Sequence, residues 1–416
     1  MEAPPDGRRR KAAIAFIVVT IFLDVLGLGI VIPVLPHLVT DFLHGNASAA
    51  APYFGLLSAS FATMQFLFSP LLGTLSDRFG RRPVLLVALF GFGLNYLLMG
   101  WAPSLAWLFV ARIFSGITGA SLTTANAYIA DISTRQNRAQ NFGLVGAMFG
   151  LGFICGPALG GLLGHLGPRL PFFASAGVVF VNFFYGLFVL PESLPPERRR
   201  AFSLARANPL GGLLRLRAYP MVAGLAVTFV CMSLAQRGME SVFVLYSRYR
   251  YGWHELENGL VLSLVGVGAA LVQGVLIRRI VPRLGERRVV QLGLVLSMVG
   301  YVLYGVASRS WILLVGIVLA SFGGLAAPAL QGLITGEVPP TEQGGVQGTF
   351  TSLTSLCSIV APIVASQTFA FFTGARAPFR LPGAPCFVGV LFLVIGLGQV
   401  VRVFVDHPTG RRSLPP

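Results

Sequence analysis

The chain has 416 residues, of which 55% are hydrophobic and 11% charged, with a mean hydropathy of +0.76. Soluble domains carry about 25% charged residues, so this composition excludes an ordinary soluble protein. The net charge of +16 raises nucleic acid as a partner, but the placement of the charges argues against it.

Twelve apolar stretches lie near 13–36, 53–73, 84–102, 105–129, 141–164, 170–190, 220–246, 257–277, 289–307, 311–334, 347–373 and 384–405. Each is long enough to cross a hydrocarbon core of about 30 Å, and helices are the spanning elements that keep their backbone satisfied there. The charged start GRRRK (7–11) leads into a span too long for a cleavable signal, so it reads as a retained first helix. With both termini cytoplasmic, inner segments hold 23 Lys/Arg, outer loops six and spans two. That is the positive-inside pattern, and it accounts for the charge without nucleic acid. The four cysteines (155, 231, 357, 386) lie in or beside apolar helices without metal-ligand spacing and read as packing residues. No metal or cofactor is expected.

The first span, TIFLDVLGLGIVIPVLP (20–36), carries Asp24 in its middle. A charge there costs about 2.5–3.5 kcal/mol on insertion scales, so Asp24 is expected to face a cavity, on one helical stripe with Thr20 and Gly27. A carboxyl group exposed alternately to two sides can carry a proton one way against substrate moving the other. A permanent hydrogen-bonded tie between helices is the alternative. Span two adds Gln65, and GTLSDRFGRRPVLL (73–86) follows it. There Gly73 and Gly80 permit close helix approach and a tight turn, Asp77 offers an acceptor, and Arg78, Arg81 and Arg82 offer donors. In span four Arg112, Ser115, Gly116, Gly119, Thr123 and Asn126 recur at helical spacing as a polar, small-residue face. Arg112 either joins a cavity or snorkels to the interface. Span five carries GFICGPALGG, whose Gly152, Gly156, Pro157, Gly160 and Gly161 give a smooth, slightly bent face against which a neighbour can rock.

The inner loop beginning PESLPPERRR divides the spans six and six. The expected organisation is a cytoplasmic start (1–12), a six-helix half (13–190), a linker (191–219), a second half (220–405) and a tail (406–416). Part of the linker, 209–217, is expected as a surface-lying helix. VPRLGERR (281–288) echoes GTLSDRFGRR, pairing Gly285 with Gly80, so the halves read as pseudo-symmetric repeats around a central cavity. In span seven Ser233, Gln236, Arg237 and Glu240 share a face, and Glu240 is the one carboxylate inside a span of this half, Glu257 standing at the edge of the next. Two readings stand: a structural i,i+3 pair with Arg237, or a group that recognises a cation or takes the coupling proton. Gln331 in span ten is a further cavity candidate. Span eleven offers Gln347, Thr351, Thr354, Ser355 and Ser358, as a helix–helix hydroxyl seam or as substrate contacts.

GTLSDRFGRRPVLL resembles the signature loop of the major facilitator superfamily, agreeing at Gly73, Leu75, Asp77, Arg78, Gly80, Arg81, Arg82 and Leu85. The resemblance implies an all-α membrane protein with twelve transmembrane helices in two six-helix pseudo-symmetric halves. It also assigns this loop to gating, with Asp77 and Arg78 in a charge relay that holds the inward side closed. GFICGPALGG is similar to the antiporter motif of drug-efflux branches, which implies gating at Gly156 and Pro157. Arg112 stands like the family's span-four arginine, which implies proton coupling. FLDVLGLGIVIPVLP, MQFLFSPLLGTLSDRFGRRPVLL, AYIADIS, APALQGLITGEV and QGTFTSLTSL resemble the tetracycline-resistance-like branch, strongly over 14–165 and more loosely over 255–365. Asp24 falls at that branch's first-helix aspartate. Asn95 and Ser297 stand where the branch has two more aspartates, which puts tetracycline, handled as a metal chelate, in doubt.

The expected function is a secondary active, proton-coupled exporter of amphipathic or cationic small molecules. Its expected setting is the cell (inner) membrane, as a monomer in the lipid bilayer. Asp24, Arg112 and Glu240 are the coupling candidates. Asp24, Gln65, Asn95, Asn126, Gln236, Arg237, Glu240, Gln331 and Thr351 are the cavity candidates. An uptake or organellar carrier for a polar metabolite calls for more charged cavity groups, and a transport-inactive receptor or lipid-handling protein keeps the same fold. An enzyme or ATP-driven pump gains no support, since there is no Gly-x-x-x-x-Gly-Lys loop and the single lysine is Lys11.

Overall fold

The computed structural model describes residues 7–119, 121–133, 137–199, 219–339, 342–375 and 377–407. Helix α1 (Gly7–Val31) incorporates the basic start and stops before the IPVLP prolines, which lack backbone donors. Helix α2 (Leu35–Phe42) restarts with Pro36 in its first turn. Next come α3 (Ala47–Phe79), α4 (Arg81–Gly100) and a fourth span made of α5 (Leu105–Thr118) and α6 (Ser121–Ile132), then α7 (Arg138–Leu166) and α8 (Leu170–Val189). Helix α9 (Pro220–Tyr251) ends on Gly252 at φ 70°, the left-handed stop that glycine adopts without a Cβ penalty. The eighth span joins α10 (Glu255–Leu271) to α11 (Ile277–Leu284) through a π turn at Val272–Leu276. Helix α12 (Glu286–Val306) precedes a tenth span split at Gly324 into α13 (Ser310–Gly323) and α14 (Ala326–Gly336). Helices α15 (Gln343–Thr373) and α16 (Ala384–Asp406) complete the twelve spans.

All twelve expected spans are present. The second is longer than its apolar window, 33 residues or about 50 Å, because the helix continues through the polar Ser76–Asp77–Arg78 end. The expected linker helix at 209–217 and the tail beyond 407 lie outside the described residues.

The chain packs as two compact units. Unit 1 comprises Met1–Asn46, Leu57–Asn208 and Trp253–Gly266. Its core includes Phe16, Ile17, Ile21, Leu85, Leu89, Tyr128 and Ile129. Unit 2 comprises Ala47–Leu56, Pro209–Gly252 and Val267–Pro416, around Val222, Leu225, Val289, Leu294, Leu330 and Val400. Two short segments thus pack away from their neighbours in sequence. In unit 1, Ser263 Oγ on α10 donates to Ile154 O on α7 at 2.6 Å. In unit 2, Ser48 Oγ at the start of α3 donates to Thr373 Oγ1 on α15 at 2.7 Å. Three cysteines are buried as expected, but Cys155 is exposed.

Candidate functional site

In unit 1, α1 is held between α7 and α8 by close approach. A Cβ built on Gly156 would lie 2.7 Å from Gly29 Cα, and one on Gly160 would collide with Ile30 O. On the other side Asn182 Nδ2 donates to Thr20 O and Ser175 Oγ to Gly27 O, each at 3.0 Å. Thr20 and Gly27 are therefore buried against neighbouring helices, a correction to their expected cavity-facing role. A Cβ on Gly27 would lie 3.2 Å from Val179 Cγ2 and 3.7 Å from Tyr96 Cε2, so Tyr96 packs beside this turn of α1. Asp24, one turn before Gly27, remains half-buried.

Tyr96 is 3% exposed and feels the charges of both Asp24 and Arg112. Tyr96 thus stands within electrostatic reach of both the first-span acid and the fourth-span arginine, a phenol that sequence reasoning missed. The guanidinium carbon of Arg112 lies 5.6 Å from the Phe61 ring centroid, a cation–π distance, and its Nε has no protein partner. Arg112 is thus an interior group and does not snorkel. Asn95, 1% exposed, donates to Met99 Sδ at 3.6 Å, while its Oδ1 is unpartnered. Gln65 Nε2 donates to Gly119 O at 3.2 Å, tying α3 to the break in the fourth span. Asn126 is half-buried on α6.

The loop between α3 and α4 forms a second cluster. Gly80 has φ 106°, a conformation that L side chains rarely adopt, and a Cβ there would also collide with the Glu192 carboxylate. That carboxylate accepts from the backbone N–H groups of Arg81, Arg82, Ser193 and Leu194 at 2.9–3.3 Å. It thus satisfies orphan donors at the start of α4, where the helix dipole also favours an anion. The Arg81 side chain bridges Asp77 at 2.6 Å and Asp131 at 3.0 Å. Arg82 Nη2 donates to Leu187 O at 2.6 Å.

Two expectations need correction here. Arg78 does not join Asp77: it is exposed, 5.1 Å from the Phe79 ring centroid, because successive helical residues diverge by about 100°. Gly73 makes no close approach either, since a Cβ there would meet nothing within 4 Å. Asp131, in AYIADIS, and Glu192, in PES, were visible in the sequence as residues. Nothing local marked them as partners of a loop 50 to 111 residues away.

In unit 2, Glu240 accepts from Gln236 Nε2 at 2.9 Å and from Arg237 Nη1 at 3.0 Å. The Arg237 and Glu240 side chains are 44% and 45% exposed, and Glu240's charge reaches Tyr301 on α12. Gln331 Nε2 donates to Gln347 Oε1 between α14 and α15. The α15 hydroxyls turn back on their own helix: Thr351 donates to Gln347 O, Ser355 to Thr351 O and Ser358 to Thr354 O. Those three bonds stay within one helix, so they do not build the hydroxyl seam that was one of the two readings. Ser297 Oγ packs into the space at Gly323.

The family model described as Major Facilitator Superfamily matches residues 17–284 and 251–414. The chain is 39% identical to the tetracycline resistance protein, class C, of Escherichia coli, over 86% of this chain and 90% of that protein. It is 30% identical to multidrug resistance protein 2 of Bacillus subtilis, over 92% and 94%. The crystal structure of the human organic anion transporter MFSD10 (TETRAN) superposes with a TM-score of 0.69 at 25% identity, covering 96% of this chain and all of that one.

Proposed function

The chain belongs to the major facilitator superfamily, and from that premise we propose that it is a proton-coupled exporter of amphipathic or cationic small molecules. The carrying observation is that Asp24 and Arg112 both lie within electrostatic reach of the buried Tyr96 inside unit 1. An interior carboxyl has two forms: ionised and in need of polar or cationic partners, or protonated and neutral. Switching between them couples a proton to a conformational change, provided each form favours a different state. Relatives named for tetracycline and multidrug resistance support a drug-like cargo. Asn95 and Ser297 cannot titrate, so we read the cargo as organic cations rather than chelated tetracycline, with Glu240 as the recognition group. Gly80, Arg81 and Arg82, with Asp77, form the gate, and the face bearing Gly156 and Pro157 is the rocking surface. We further place the protein in the inner membrane as a monomer, with both termini cytoplasmic, an orientation that the Lys/Arg distribution supports.

The test is substrate-stimulated proton movement in proteoliposomes, with a fluorescent organic cation as cargo. Asp24→Asn keeps shape and polarity but cannot titrate, so it should abolish proton-driven movement while cation exchange down its own gradient persists. Full proton-driven transport by the variant would sink the coupling role.

A further inference from the structure

His37 has no part in the roles above. It lies in α2, 1% exposed, and each ring nitrogen faces a backbone carbonyl. Nδ1 is 2.9 Å from Pro33 O and Nε2 is 3.4 Å from Trp253 O. Carbonyl oxygens only accept, and a neutral imidazole has a single N–H. In either neutral tautomer, one nitrogen therefore presents its lone pair to an oxygen. The imidazolium alone donates to both.

The second of these bonds reaches a special segment. Trp253–Gly266 packs in unit 1, although the stretches before and after it, Pro209–Gly252 and Val267–Pro416, belong to unit 2. Its contacts within unit 1 include His37 with Trp253 and Ser263 with Ile154. The charged and titratable groups on the surrounding elements are Asp41 and His44 after His37, Arg248, Arg250 and Tyr251 at the end of α9 before Trp253, His254, Glu255 and Glu257 at the start of α10, and His165 and Arg169 around the end of α7. Arg169 is engaged by Ala102 O at 3.1 Å, and Glu257 accepts from His254 N at 2.9 Å. Glu255 lies beside the turn into α2: a Cβ on Gly164 would be 2.9 Å from Glu255 Cγ and 3.1 Å from Val34 Cγ2.

We propose that His37 is a second proton-binding site, separate from Asp24, and that its imidazolium ties α2 to the segment leading into α10. Under the export reading, a proton arriving from outside would then fasten this tie before Asp24 is used. That purpose rests on the reading above; the tie itself does not.

Hydrogen–deuterium exchange on the purified full chain in lipid nanodiscs, between about pH 5 and 8, tests the tie without transport. After correction for intrinsic rates, amides of 253–259 should exchange about fivefold faster once the imidazolium is lost, the effect of one hydrogen bond. In His37→Gln, which has no titrating ring, the step should vanish. A flat wild-type profile, or a step retained in His37→Gln, overturns the proposal. If His37→Gln does not fold, a chain with His44, His165, His254 and His407 all changed to Gln leaves His37 as the sole histidine. Persistence of the step there supports the assignment, and its loss overturns it. Failure of this step alongside intact proton-driven transport would remove His37 and leave the export reading standing.

Discussion

Glu240 meets Gln236 with one oxygen and Arg237 with the other, yet nearly half of its side chain is exposed within a 32-residue helix. Exposed ion pairs stabilise a fold by about 0–1 kcal/mol, so stability gives little reason to keep charges at this depth. Facing lipid they would cost several times that. Recognition is the role we propose for the pair. Glu240→Gln should weaken organic cations about tenfold, the loss of one charge-assisted hydrogen bond, and leave neutral ligands within about twofold. Arg237→Ala should leave cation affinity unchanged or raised, because it frees the carboxylate. Equilibrium binding to purified protein decides it, and equal losses for cationic and neutral ligands would return the pair to a structural role. Glu240 was legible in the sequence because a carboxylate in an apolar run is conspicuous. Tyr96 was not: an aromatic residue in an apolar span looks like packing until the fold sets it near Asp24 and Arg112. Arg78 and Arg81 are chemically identical neighbours in one loop, and only helical phase distinguishes which meets Asp77.

Helix α7 carries two kinds of glycine. A Cβ on Gly156 would press into Gly29 on α1, whereas one on Gly150 would meet nothing within 4 Å. Gly156→Val should therefore separate α1 from α7 and displace Asp24, with an overpacking cost of about 1–3 kcal/mol. Transport should fall more than about tenfold for a 1.4 kcal/mol misplacement of the coupling group. Gly150→Ala should be silent or slightly stabilising, since alanine is the better helix former by about 1 kcal/mol. Proteoliposome transport alongside thermal unfolding separates the outcomes, and a fully active Gly156→Val would dismiss the close contact as unnecessary. Span number and rough ends were readable from hydropathy because each crossing needs about 20 apolar residues. The π turn in the eighth span and the break at Gly324 were not, because an interruption inside a bundle leaves the apolar run intact and neighbouring helices support it.

Across the whole molecule the repeat is real at the backbone and incomplete in its chemistry. Gly80 and Gly285 both cap the following helix at positive φ, 106° and 76°. Arg82 and Arg287 both reach carbonyls at the end of the last helix of their half, Leu187 O and His407 O, each at 2.6 Å. Three residues before the glycine, however, Asp77 is matched by Pro282, and directly after it Arg81 is matched by Glu286. The Asp77–Arg81–Asp131 bridge thus has no counterpart beside Gly285, and a change to it should bias an alternating-access cycle in one direction. Asp77→Asn removes one of two carboxylates from Arg81, the more exposed of the pair at 34% against 24%. A partly exposed contact of this kind is worth about 1 kcal/mol, so the variant should shift the population about fivefold towards inward-open states. Arg81→Gln removes the shared cation from both carboxylates, leaving Asp131 with Ser193 Oγ, and should shift it further, by tenfold or more, since losing the shared partner of a part-buried network costs about 3 kcal/mol or more before solvent screening is discounted. Asp77→Asn combined with Arg81→Gln should then be no worse than Arg81→Gln alone, because both act through one contact. Labelling rates of single cysteines placed on the inner and outer sides, in a chain cleared of its four native cysteines, read this ordering directly. Equal labelling in all three variants and the parent would reduce the loop to a determinant of orientation, and additive shifts would mean that Arg81 works through Asp131 alone.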